Sequence, residues 1–280
     1  ALGTLNVSMA ADYFFNQDRV KIMGYIGATQ NIGSGLLPIV GGALAGIMWF
    51  YPFITPLLAI PIGLFLFFNM ESHQTNIAER VIDTRTFLRR ARQKLNDKIV
   101  IELVFLTGGF IFIGFGAFIT YLPLFLRDTF DTSALIIGII VGSRTIIGVF
   151  MASRLEHLAN YFSYRTLIFS SFIALAIGMV VVPFAENQWI IILSAACYGG
   201  SFGVLRPSLQ YLLLEHAPED LRSTFAAAIN FGLRLAQTLS PVCAGLLMII
   251  ITYTHLYVLA AILASLMAFY SLTATSLNKK

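Results

Sequence analysis

The chain has 280 residues, of which 58% are hydrophobic and only 11% charged, with a formal net charge of +4. Soluble domains carry roughly 25% charged residues, and a soluble globule of this size could not hide so much apolar side chain and still be wetted. A soluble enzyme, a disulfide scaffold and a disordered chain are therefore excluded, and what remains is an all-α, polytopic membrane protein.

Residues 1–13 read as the tail of a span. Eight apolar runs follow, near 22–47, 52–69, 99–126, 133–154, 166–184, 188–214, 223–251 and 254–275. Each is long enough to cross ~30 Å of hydrocarbon at 1.5 Å per residue. A backbone in lipid must satisfy its own hydrogen bonds, so these runs are helices. They do not alternate polar and apolar, which excludes an outer-membrane barrel. The stretch 71–98 is the one long polar segment. Ile77, Val81, Leu88 and Leu95 recur at helical spacing with arginines between them, as in an amphipathic helix on the membrane surface, and a solvated linker is the alternative. The expected units are 1–70, the linker 71–98, and 99–280.

Basic residues set the orientation. Fourteen of the 18 lysines and arginines fall on one set of loops, including Arg19, Arg154, Arg165 and Arg222, while the opposite loops hold only Arg127. The first set, and with it the C-terminus, is expected in the cytoplasm. Trp49 and Trp189 fall at the outer boundaries, where indoles anchor. The basic charge needs no nucleic acid to explain it.

Sliding the sequence by 203 positions sets Asp12 on Glu215, Arg19 on Arg222, Pro38 on Pro241 and Gly42 on Gly245. Each copy reads as span, acid, short basic loop, and a span with a mid-helix proline. Parallel repeats of this kind are a transporter architecture. On this reading 99–280 is a full unit of six spans and 1–70 is the last part of its twin. The expectation is thus a chain shortened at its N-terminus, from a parent of twelve spans.

The span 22–47 carries Gly24-x8-Gly33-x3-Leu37-Pro38-x2-Gly41-Gly42. This resembles the antiporter motif in the fifth helix of drug:proton exchangers of the major facilitator superfamily, departing at Leu37, where that family has glycine. Residues 158–167 resemble the loop between that family's eighth and ninth helices in degenerate form, with Asn160 in place of the acid and Arg165 retained. Tyr121-Leu122-Pro123 resembles the outer end of its seventh helix. The resemblance implies a major facilitator-type helical bundle with parallel repeats, its first half incomplete. It also implies a central cavity, rocking alternating access, and a leak barrier formed by the glycine–proline motif. Simple helix packing remains the plainer reading of those glycines.

Ionisable residues deep in spans are costly and are candidates for function. Three qualify: Arg144, Arg206 and Arg234. They either pair with an anionic substrate or hold the bundle together. Arg144 leans to the structural role, and Arg206, nine residues before Glu215, is within reach of snorkelling towards the cytoplasm. Asn230, Arg234 and Gln237 share one helical face. With Arg206, Tyr121 and Asn31 they make up the substrate-site candidates.

No acid lies deep in a span, so a titrating acid for proton coupling is expected upstream. The first functional reading is secondary active efflux of small organic or drug-like compounds by proton antiport. The second is a facilitator-type carrier of an organic anion or other metabolite. Neither a catalytic motif nor a metal or cofactor site is present in the sequence, and an enzyme is not expected. The remaining expectations are a small-molecule substrate, lipid contact, the plasma membrane and a monomer.

Overall fold

The computed structural model describes residues 16–69, 97–216, 222–274 and 277. The expected span tail at 1–13 and the amphipathic segment at 71–96 lie outside them. The described elements are helical: α1 (Asn16–Ile47), α2 (Ala59–Asn69), α3 (Lys98–Ile113), α4 (Leu122–Phe130), α5 (Ala134–Ser153), α6 (Leu155–Tyr161), α7 (Tyr164–Val181), α8 (Ile191–His216), α9 (Arg222–Met248) and α10 (Tyr253–Thr273). Six stretches are long and apolar enough to cross a bilayer: Lys98–Phe130, Ala134–Ser153, Tyr164–Phe184, Gln188–Leu213, Ala227–Met248 and Tyr253–Thr273. All six lie where spans were expected.

The two earliest spans differ in character. α1 runs for 32 residues and carries Pro38 inside it. The second begins as a 3-10 helix, Tyr51–Leu58, and becomes α-helical only at Ala59. Pro52 and Pro56 offer no amide to an α-helical ladder, and the tighter turn tolerates this.

Local chemistry sets several ends. The Asp97 carboxylate accepts from the Ile99 amide at 3.2 Å and caps α3, and the Ser163 hydroxyl accepts from the Thr166 amide at 3.3 Å and caps α7. Asp131 closes α4 in the left-handed region at φ 49°, a conformation short polar side chains tolerate.

The first full span is not a plain helix. Between α3 and α4, Gly114–Tyr121 winds as a π-helix. The Thr120 hydroxyl donates to the Phe115 carbonyl five residues back, at 2.9 Å, and the buried Tyr257 hydroxyl donates to the Ala117 carbonyl at 3.2 Å. Side chains thus help satisfy backbone groups that water cannot reach.

Packing follows glycine. α5 lies between α1 and α8. On its α8 side, a Cβ added at Gly148 would sit 3.0 Å from the Gly199 carbonyl, and one at Gly203 would strike the Gly148 carbonyl. The contact of α9 on α3 repeats the device, with a Cβ at Gly232 only 2.8 Å from Val104. Without a hydrophobic force between helices in lipid, such close approach is what holds them. α10 packs on α7, and α7 on α8, where the Ser201 hydroxyl donates to the Ser171 carbonyl at 2.8 Å.

The core is aromatic. Tyr198, with 1% exposure, stacks on Phe118 at 4.6 Å and on Phe110 at 5.9 Å. The dense phenylalanines of the first full span therefore divide. Phe110 and Phe118 are core, while Phe105 faces outward.

Candidate functional site

Two cavities break the apolar interior, and an arginine stands at both. The first, about 180 Å³, lies between α1, α5 and α8, lined by Ser34, Arg144, Thr145, Gly148, Phe202 and Arg206 among others. The second, about 70 Å³, lies between α3, α8 and α9, lined by Thr107, Arg206, Gln210, Ile229, Asn230 and Leu233 among others. Among the described residues neither lining includes a carboxylate.

Arg206 belongs to both. Its guanidinium lies 5.4 Å from the centre of the Phe202 ring, a cation–π contact one turn further from Glu215. The ring lies away from Glu215, while the second cavity, lined by Gln210 and Leu213, lies towards it. Arg234 donates to the Gln237 side-chain oxygen at 3.0 Å, and both it and Asn230 are exposed. Pro207, whose ring denies an amide to the helix, follows Arg206 directly.

The structure brings together Arg206 and Asn230, and couples Arg234 to Gln237. Tyr121 stands elsewhere, at the end of the π-helical turn, its hydroxyl 3.0 Å from where a Cβ on Gly245 would lie. Asn31 lies on α1. Gln210, Thr107, Ser34 and Thr145 were not singled out from sequence. Gln210 could have been, since it lies one helical turn after Arg206 and so shares its face. Arg144, which leans to a structural role in the sequence, lines the first cavity. Its guanidinium carbon is 5.7 Å from the Tyr198 ring centre.

The glycine–proline motif divides when seen in three dimensions. A Cβ at Gly42 would strike the Ala134 carbonyl, and the Pro38 carbonyl occupies the place a Cβ on Gly138 would need. These two motif residues sit at the crossing of α1 on α5. A Cβ at Gly41 would meet nothing within 4 Å, and one at Gly33 only its own helix at Leu37. Gly35, outside the motif as read, does pack at the crossing, 3.2 Å from Thr145. Gly24 lies further back on α1. Of the two loop residues, Asn160 is exposed at the end of α6, and Arg165 donates to the Ala274 carbonyl at 3.0 Å, tying the start of α7 to the end of α10.

Membrane-length helices packed through glycine around small polar cavities define the class: a multi-pass α-helical membrane protein. Residues 1–241 match the Major Facilitator Superfamily family model, and the chain belongs to that family, whose members are transporters and not enzymes. It is similar to the quinolone resistance protein NorA of Staphylococcus aureus (strain COL), 26% identical over 250 residues, covering 85% of this chain and 61% of the relative. It is similar also to the multidrug resistance protein MdtG of Citrobacter koseri, 25% identical over 201 residues, covering 69% and 48%. The chain thus spans about three fifths of the length of the first of these curated relatives and about half of the second.

Proposed function

We propose that the protein exports small organic, drug-like compounds by proton antiport, with alternating access to a cavity centred on Arg206. The observation that carries the reading is the cavity holding Arg206, Gln210 and Asn230 inside a bundle of otherwise apolar spans. A cation within a membrane span is costly and is kept where a solute path needs it. The resistance functions in the names of NorA and MdtG support drug-like substrates. In this reading residues 1–70 belong to a first bundle and 99–280 to a second, and they rock about the crossing of α1 on α5. The protein sits in the plasma membrane as a monomer, with its C-terminus in the cytoplasm.

A second reading, a facilitator-type carrier of organic anions, is favoured by the arginines in both cavity linings, which among the described residues hold no carboxylate. Proteoliposomes separate the two. An imposed pH gradient drives uptake of a cationic dye into inverted vesicles on the first reading. Gradient-independent counterflow of a carboxylate, with no dye movement, would replace it with the second.

A further inference from the structure

The cavity between α1, α5 and α8 holds polar atoms that the substrate cavity at Asn230 does not use. The Arg144 Nε and the Thr145 Oγ1 are both buried, and neither has a hydrogen-bond partner. Buried donors are nearly always satisfied, and an unpaired one points to an occupant. Arg206 lines the same space from α8, and Ser34 reaches it from α1. Two guanidiniums therefore border about 180 Å³ with no acid among the described lining residues. The ion pair of Lys98 with Glu102, at 3.8 Å, lies elsewhere, in the first turns of α3.

The walls are fixed. Arg144 lies against Tyr198, itself stacked between Phe110 and Phe118. The floor is backbone, because a Cβ at Gly199 would collide with the Arg144 carbonyl. A guanidinium braced on an aromatic face presents its planar donors in a set direction, which suits a planar oxyanion better than a spherical ion.

We propose that this cavity is an anion subsite that takes a carboxylate, held by Arg144 and Arg206 with the Thr145 hydroxyl donating. It deepens the transport reading, from which it borrows only the location of the cavity in the solute path. Because Ser34 lies on α1 and the arginines on α5 and α8, an anion there bridges the two sides of the α1–α5 crossing. A free inorganic anion and the carboxylate of a larger solute share this chemistry.

The test uses thermal unfolding of the purified full chain in detergent, with sodium benzoate, its neutral isostere benzamide, and sodium chloride, all at one ionic strength. Benzoate is expected to raise the melting temperature in a saturable way and benzamide is not. Thr145→Val, nearly isosteric, should raise the half-maximal benzoate concentration about tenfold, and Arg144→Gln should abolish the shift. Arg144→Lys keeps the charge without the fork and should retain a weakened shift. A chloride effect equal to that of benzoate would overturn the carboxylate assignment. Equal effects of benzoate and benzamide, or a full benzoate shift in Arg144→Gln, would overturn the proposal. Dye counterflow by the unmodified protein tests the transport reading separately, so the two can fail independently.

Discussion

The carbonyl of Pro38 on α1 fills the place that a side chain on Gly138 of α5 would need. Two backbones thus meet directly in the middle of the bundle, at the crossing that ties residues 16–47 to the six long spans. Gly138→Val should push them apart at a cost of about 1–3 kcal/mol, the usual range for overpacking. Gly41→Ala, on the same turn as Gly42 but with nothing within 4 Å of the new methyl, should be neutral or gain up to about 1 kcal/mol of helix propensity. Thermal unfolding of the two variants side by side checks this. Equal losses would mean that the crossing is not formed as described.

The hydroxyl of Tyr257 donates to the Ala117 carbonyl inside the π-helical turn, where both are buried. Tyr257→Phe keeps the ring and removes the donor, leaving a carbonyl without water or partner. The expected loss is about 1–3 kcal/mol, with faster amide exchange confined to Gly114–Tyr121. Denaturant titration and hydrogen exchange measure both. A variant as stable as the parent, with unchanged exchange, would remove this account of the turn.

Arg206 and Arg234 are placed differently. Arg206 lines both cavities, while Arg234, in neither lining, is held by Gln237 at 3.0 Å. Arg206→Ala should cut transport by about tenfold, equivalent to about 1.4 kcal/mol of lost interaction. Arg234→Ala should cut it less, with the melting temperature little changed. Initial rates in proteoliposomes compare them, and a larger effect at Arg234 would move the site to the face of α9.

The spans were legible because lipid demands long apolar helices, and one physical constraint dominates every one of those runs. The 3-10 start at Tyr51 was readable in principle from Pro52 and Pro56, yet apolarity alone hid it. The π-helical turn was not legible, because its carbonyls are completed by Thr120 locally and by Tyr257 from a helix far away in sequence. The site was half visible. Arg206, Arg234 and Asn230 stand out as polar residues in apolar spans, whereas Thr107 and Thr145 look like ordinary helix residues until another helix brings an arginine beside them. The glycines show the same limit. Gly35 and Gly41 cannot be told apart by spacing, and only the position of α5 packs one tightly and leaves the other open.

The central claim is that solute and water reach Arg206 and Asn230 inside the membrane. Cysteine labelling tests it most directly. With Cys197 and Cys243 replaced by alanine, Asn230→Cys should react with a membrane-impermeant maleimide and be protected by a transported dye. Leu263→Cys, on the apolar outer groove between α3, α9 and α10, should remain unlabelled. No labelling at position 230 from either side of the membrane, or labelling that the dye does not slow, would contradict the account.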